Sequence, residues 1–426
     1  MRFLQKIIES LLLLFVFLLP WQAKLILRPE INNFNEISLY LSHLVLLLAL
    51  IFFFIYQLKK KSYLYRTPII WYFLGGLEIS ILISFFVAPD KILAAYHYFL
   101  MLGGLGLFYL VREGINRGAY EESCLNRIRI IYTFLISIFF QSVLGIYQFL
   151  SQKSLVSKFL GLANHDPQVL GTSVIETASG RWLRAYGGLD HPNILGGVLV
   201  IALLLSAFLL ARKRIINSQI QMGGVLLLFC SYFFSLAALF FTFSRTAWLA
   251  SVIGFVVLLL SILKEEDHWV LKRLLGIIFF SLILFSLAFL PYKELIMTRF
   301  RAEARLEQIS LDERSSFTAE AIEIIKEKPW LGVGVGNYVK QKEMVKTDAT
   351  PYEQPVHNAF LLIFAESGIF AFLSLILFLV FLTKNGRRQN FSLAIIVAIV
   401  VLMLFDHWFI SLPFGILFFF LILGVI

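Results

Sequence analysis

Charge is scarce in this sequence: 15% of the 426 residues are charged, against 59% hydrophobic and 16% aromatic. So few charges cannot solvate this much apolar material, which excludes a water-soluble globular chain. Cysteine is nearly absent, with Cys124 in a basic loop and Cys230 inside an apolar run. That excludes a disulfide framework and leaves the compartment unread. No outward Asp-x-Asp pair offers a divalent-cation site, and no outward Cys or His cluster suggests zinc, so neither a metal nor any cofactor is expected. No strand precedes the glycine-rich Gly332-Val333-Gly334-Val335-Gly336, which reads as a turn rather than a nucleotide-binding loop. The formal charge of +10 raises nucleic acid as a partner. The Lys and Arg residues stand in short clusters between apolar runs, however, where orienting helices explains them, and no nucleic-acid partner is expected.

What the sequence has in abundance is apolar runs long enough to cross a hydrocarbon core of about 30 Å, which takes roughly 20 helical residues. They predict an all-α polytopic membrane protein of about 12 transmembrane helices, one integral membrane domain over residues 1–426 with membrane lipids around it. The first spans fall near Ile7 to Trp21, Leu39 to Gln57, Ile69 to Val87, Ile92 to Val111, Ile130 to Leu150 and Ile194 to Leu210. The others fall near Gly223 to Phe241, Ala247 to Leu263, Leu274 to Leu290, His357 to Thr383, Phe391 to Phe405 and Trp408 to Ile426. Met1 to Lys6 and the apolar stretch ending at Pro20-Trp21 have the charge order of a signal peptide but no small-x-small cleavage site. They read as a retained first span.

Basic clusters at Lys59 to Lys61 with Arg66, Arg112 to Arg129, Arg212 to Arg214, Lys264 to Arg273 and Lys384 to Arg388 occupy alternate loops. The short opposite loops are nearly bare, carrying Lys24 and Arg28, Lys91, Arg245, and the Asp406-His407 turn. Cytoplasmic loops are the basic ones, so both termini are expected inside. Two connections, 151–190 and 291–356, break the short-loop pattern, and both are expected outside the cell membrane. Within the second, Phe317, Ala321, Ile324 and Ile325 recur at helical spacing before Pro329. They predict an amphipathic helix over about 313–328 lying against the membrane face.

Chemistry is expected where these outer loops meet the spans. Arg245, in Thr242-Phe243-Ser244-Arg245-Thr246, lies in a turn so short that it is either a snorkelling cation or a buried functional one. Arg184 precedes Asp190-His191-Pro192-Asn193 at the mouth of the sixth span and reads equally as a solvated loop cation. Arg314 near a helix N-terminus opposes the helix dipole unless an anion such as phosphate is bound beside it, although a loop helix also carries stray arginines. His357 opens the tenth span. At 100° per residue Leu361 and Gly368 share its face while Glu366 points away. Gly368 would let a helix or lipid chain approach. The imidazole is either an interface residue or a neutral-pH base beside the arginines. Glu366 deep in a span needs a partner, which favours a structural role. A diphosphate held here would be neutralised by bidentate guanidinium groups.

Taken together, Gln141 to Gln148 (QSVLGIYQ), Arg184 to Asn193 (RAYGGLDHPN), Ser244-Arg245, Arg314 followed by Pro329-Trp330-Leu331-Gly332-Val333-Gly334, and His357-Asn358 with Glu366-x-Gly368 resemble the O-antigen ligase and Wzy-type O-antigen polymerase superfamily, which includes the WaaL-type ligases. The resemblance covers most of the chain, with a ligase-like core over 184–372, and implies a GT-C-like membrane glycosyltransferase. It implies that Arg184, Arg245 and Arg314 hold an undecaprenyl-diphosphate-linked glycan and that His357 serves the acceptor hydroxyl. His191, Asn193, Asn358, Glu366 and Gly368 would support them. It further implies metal-independent, inverting transfer at the periplasmic face of the bacterial inner membrane, to a glycolipid, glycan or protein. A Wzy-type polymerase is the alternative within the superfamily. A transporter or flippase for lipid-linked sugars is an alternative of another class, for which internal repeats and midplane charges are the missing signs. A membrane scaffold or receptor is a third.

Overall fold

The computed structural model describes residues 1–60, 69–115, 124–178, 180–212, 222–301, 305–345, 353–386 and 390–426. The chain begins with α1 (Arg2–Leu18), α2 (Leu41–Lys60), α3 (Ile70–Phe85), α4 (Lys91–Ile115), α5 (Arg127–Ser151), α6 (Pro192–Ala211), α7 (Met222–Thr242), α8 (Arg245–Leu263) and α9 (His268–Phe289). After three helices on the surface of one end, α10 (Lys293–Arg301), α11 (Arg305–Glu327) and α12 (Tyr338–Val345), come α13 (Ala359–Gly386), α14 (Asn390–Phe405), the single turn α15 (Trp408–Ser411) and α16 (Pro413–Val425). Eight of the helices are long and apolar enough to cross a membrane, and Ile70–Phe85, Phe391–Phe405 and Pro413–Val425 are shorter apolar ones. The chain is an all-α polytopic membrane protein. Large apolar side chains such as Phe279 and Leu282 on α9 stay exposed, and among the described residues of that helix only Val270 and Leu274 are buried. Only a lipid solvent makes that arrangement stable.

At the centre stands α6, buried on every side from Ile194 to Ala211 and packed against α5, α7, α8, α9 and α14. A helix that is apolar all round belongs in a core, and its position fixes what its N-terminus presents. That N-terminus opens at the end of the bundle where α10 to α12 lie. The opposite end carries the basic residues, where Arg129 pairs with Glu9 at 3.1 Å and Arg212 with Glu265. Lys61, Arg66, Arg117, Lys213, Arg214, Arg387 and Arg388 of the expected clusters lie outside the described residues.

Several boundaries differ from expectation. The connection between α1 and α2 is a hairpin of β1 (Lys24–Arg28) and β2 (Ile37–Tyr40) around a 3-10 turn at Asn33–Asn35. The connection over 151–190 carries a second hairpin, β3 (Val174–Thr177) and β4 (Gly180–Leu183). The surface helix starts at Arg305 rather than near residue 313, because nothing between Arg305 and Asp312 breaks a helix. Arg314 therefore stands mid-helix, and the dipole argument for an anion beside it fails. The last apolar run is two helices, since Pro413 supplies no N–H and Leu412 is extended at φ −110°.

Candidate functional site

At the mouth of α6, the His191 ring caps the helix. Its Nδ1 accepts from the Asn193 N–H at 3.1 Å, with Pro192 placed where no donor is needed. Because Nδ1 accepts, the ring proton of neutral His191 is on Nε2. Arg184, just after β4, is 4% exposed and threads beneath this cap. Its Nε donates to the Thr242 carbonyl (2.7 Å), one terminal nitrogen to Ser173 Oγ (2.6 Å) and the other to Asn193 Oδ1 (2.9 Å). The Asn193 amide nitrogen in turn reaches Asp406 Oδ2 at 3.3 Å. Gln141 and Gln148 of α5 shape this wall. They accept from the Gly188 N–H and from the Tyr186 and Gly187 N–H groups, which holds the Arg184–Asn193 turn against the bundle.

Asp406 follows α14 and faces the chain entering α13. The Ala359 N–H donates to the Asp406 carbonyl (3.1 Å) and the Asn358 side chain to the Leu404 carbonyl (3.1 Å). Residues some fifty positions apart are thereby tied together. Asn358 is the cap of α13, its Oδ1 accepting from the Phe360 and Leu361 N–H groups. His357 precedes the helix instead of opening it, so helical periodicity does not govern where its ring lies. His357 Nδ1 stands 3.9 Å from Asp406 Oδ1, an ion-pair distance longer than a hydrogen bond. The same oxygen accepts from the His407 N–H at 2.8 Å. The rings of His357 and His407 lie 5.3 Å apart. Ser411 Oγ donates to the His407 carbonyl (3.2 Å) and contacts His407 Nδ1 at 2.7 Å. That places the ring proton on Nδ1 and a lone pair on Nε2.

The third wall is α11. Arg314 and Phe317, three residues apart, share its inner face. Phe317 lies 6.3 Å from the His357 ring, and Arg314 is within electrostatic reach of His191 and His407. Arg314 is half-buried, and its Nε has no hydrogen-bond partner among the described residues. A buried Lys342 on α12 secures the helix. Its ammonium pairs with Glu320 of α11 (2.7 Å) and Glu353 (2.5 Å) and lies 4.0 Å over the Phe317 ring.

Arg245 occupies the neighbouring turn, at the first position of α8, where one terminal nitrogen donates to the Arg299 carbonyl at 2.8 Å. Arg299 Nε returns a bond to the Phe243 carbonyl (3.2 Å). The turn is strained, since buried Phe243 has φ 47°. The link to the site runs through Arg184, which grips Thr242 of the same turn.

Glu366 and Gly368 lie behind the site. The helix-wheel expectation for Gly368 does not hold, because α13 is interrupted there (φ 76°, ψ −177°). A Cβ there would come 1.9 Å from the Trp330 carbonyl oxygen, so what the glycine admits is the Pro329–Leu331 backbone, not a lipid or another helix. The carboxylate of Glu366 accepts from the Gly336 (3.0 Å) and Tyr338 (3.4 Å) N–H groups. Gly332, Gly334 and Gly336 all have positive φ. The glycine-rich stretch is the turn that brings α11 back to the bundle.

Electrostatically, burial pushes His191 down to about 3, helped by the Arg184 charge, and pushes His407 down to about 3. Burial alone would raise Asp406. The interaction with His357 and the nearby imidazoles outweigh it and hold the carboxyl below its usual range. At neutral pH the site is thus a carboxylate between two neutral imidazoles, with His357 and Arg314 facing it.

The expectation that no outer histidine cluster exists is corrected. Ligand atoms of His357, Asp406 and His407 all lie within 4.8 Å of one another, a donor set compatible with a transition-metal ion. The sequence conceals it because the backbone pairing of Ala359 with Asp406 creates it. Asp406 and His407 were legible only as a short outer turn.

These features define a polytopic membrane protein with a buried cationic and imidazole site at one end of its bundle. Residues 230–376 match the family model described as O-antigen ligase, a span that carries Arg245, Arg314, His357, Glu366 and Gly368. The match supports a membrane glycan transferase of the ligase or polymerase type. No curated protein matches the chain.

Proposed function

We propose that the protein transfers an oligo- or polysaccharide from undecaprenyl diphosphate to an acceptor hydroxyl at the periplasmic face of a bacterial inner membrane. The observation that carries this reading is the Asp406–His357 pair at 3.9 Å. The Asp406 carboxylate faces Nδ1 of His357 and favours the charged imidazolium that forms when Nε2 takes the acceptor's proton as its oxygen attacks the anomeric carbon. The bond from that carbon to the diphosphate breaks on the opposite side with inversion, and the electron pair leaves on the lipid diphosphate.

Arg314 and Arg245 supply positive charge for the departing diphosphate. Arg184, buried and engaged with three acceptors, acts through Asn193 on Asp406 as a positioning residue. Transfer needs no nucleotide, because the lipid diphosphate is already activated, and no metal, because guanidinium groups neutralise it. Glu366 holds the glycine-rich turn and Asn358 caps α13.

The test is reconstitution of purified protein with a polyprenyl-diphosphate glycan and candidate acceptors, separating ligated product from lengthened lipid-linked product. His357→Ala should abolish transfer while the protein remains folded. Near-normal turnover by that variant would remove His357 as the base.

A further inference from the structure

The hairpin between α1 and α2 carries no motif, yet it roofs the site. At its tip the half-buried Phe34 ring meets the buried His407 ring edge-on, with centroids 5.4 Å apart. The file of rings continues from His407 to His357 at 5.3 Å and from His357 to Phe317 of α11 at 6.3 Å. Two phenylalanines from distant parts of the chain thus bracket the two imidazoles.

The tip is fixed by its neighbours. Asn32, 4% exposed, accepts from the Phe34 N–H at 3.0 Å and donates its amide to the Glu353 carbonyl at 2.8 Å. Asn35, 1% exposed, donates to the Glu343 carboxylate at 3.0 Å, and its carbonyl accepts from Arg28, which pairs with Asp90 at 2.8 Å. Glu353 also pairs with Lys342, whose ammonium lies over Phe317, so both ends of the file hang from one network. A turn fastened at this many points keeps its side chain in one place.

The file matters because of what does not hold His357. Its Nδ1 has no hydrogen-bond partner among the described residues, and the Asp406 carboxylate at 3.9 Å is beyond hydrogen-bond range. Packing against its neighbours therefore sets the angle of this ring. His407 is the opposite case, pinned by Ser411 at Nδ1 (2.7 Å) and by its own N–H on Asp406 (2.8 Å). Loss of the Phe34 ring would open a gap beside His407 into which that imidazole, and with it His357, can turn.

We infer that Phe34 is a positioning residue for the proposed base: through the His407 ring it sets the angle at which His357 meets the acceptor hydroxyl. The inference rests on the proposed glycan transfer. In the reconstituted assay Phe34→Ala should lower kcat about tenfold or more, as a misplaced base does, with donor and acceptor KM changed less than about twofold. Phe34→Tyr keeps the ring and should restore turnover. Phe34→Leu keeps apolar bulk without the ring, should lose kcat as the alanine variant does, and decides the matter if Phe34→Ala does not fold. Because Phe34 acts through His407, Phe34→Ala should cost little further in a His407→Gln background. Full kcat in folded Phe34→Ala and Phe34→Leu, alongside an inactive His357→Ala, overturns the inference alone. So does a change confined to KM, which would put Phe34 on the substrate, or a loss that is undiminished in His407→Gln. A wild type that transfers nothing, or an active His357→Ala, overturns the reading beneath and the inference with it.

Discussion

Asp406 faces His357 from 49 residues downstream, with one carboxylate oxygen toward the imidazole at 3.9 Å and the other on Asn193 at 3.3 Å. Hydrogen bonds therefore run from Arg184 through Asn193 to Asp406, and the carboxylate they hold faces the proposed base. Asp406→Asn keeps the shape but removes the charge that orients and stabilises a protonated His357. It should lower kcat by a factor on the order of 10² to 10⁴ with the donor KM little changed. Single-turnover transfer measures this, and an unimpaired chemical step in Asp406→Asn would leave the pair without a catalytic meaning.

Arg184 and Arg314 should separate cleanly when each is replaced by lysine. At Arg184, lysine cannot reach Thr242, Ser173 and Asn193 together. A loss of about 2–3 kcal/mol of stability is expected for buried charge-assisted bonds left unmade. At half-buried Arg314, lysine leaves the fold alone and lowers turnover, because the fork that matches phosphate is gone. Thermal unfolding in detergent alongside kinetics distinguishes them. Equal melting temperatures for the two variants would contradict the buried, structural placement of Arg184.

Much of this fold was legible in the sequence because lipid imposes a coarse rule: each apolar run must close its own backbone hydrogen bonds, so its length announces a helix. The exceptions are local. Pro413 splits the last run and Gly368 breaks α13, and both were visible as residue types without a visible consequence. His191, Asn193, Arg314 and His357 could be singled out as polar residues at one end. Asp406 and His407 could not be weighted, because their importance comes from the pairing of residues 358–359 with residues 404–406. The Lys342 ion cluster and the roofing loop likewise exist only as tertiary contacts, with no period or spacing to betray them.

Removing Lys342 should loosen the helix that carries Arg314. The Lys342 side chain is 3% exposed between Glu320 and Glu353, so Lys342→Met removes the shared cation of this cluster and should cost about 3–5 kcal/mol. Limited proteolysis within residues 305–345 should accelerate at the same time. Adding Glu320→Gln to Lys342→Met should restore part of the stability, since the repulsion between the two carboxylates is then removed. A double variant no more stable than the single one would show that the ion cluster is not what holds α11.

Acid should act on the site in a defined order. His191 and His407 titrate near 3 when folded and near 6.5 when unfolded. The unfolded chain therefore takes up their protons first, and the stability they contribute erodes as pH falls from about 6.5 toward 3. Asp406 is depressed when folded, so its contribution is present above its ordinary value of 3.8 and disappears as pH falls through its lower folded value. Between pH 5 and 8 all three keep one charge state, roughly speaking, and His407→Gln should leave the acid limb of the activity profile in place. Movement of that limb by half a unit or more would make His407 a titrating participant.

Chelation decides between the two chemistries open to the histidine cluster. With arginines neutralising the diphosphate, transfer should be unaffected by millimolar EDTA and unaltered by added zinc, as measured by initial rates on protein purified without metal-affinity steps. The donor set of His357, Asp406 and His407, with ligand atoms within 4.8 Å, makes the opposite result interpretable. Inactivation by EDTA that zinc reverses, together with stoichiometric metal in the purified protein, would turn the proposed base into a metal ligand. Nε2 of His357 could not then be both a ligand and a free proton acceptor. Metal content and activity must therefore be read on the same preparation, and metal-free, fully active protein keeps His357 as the base.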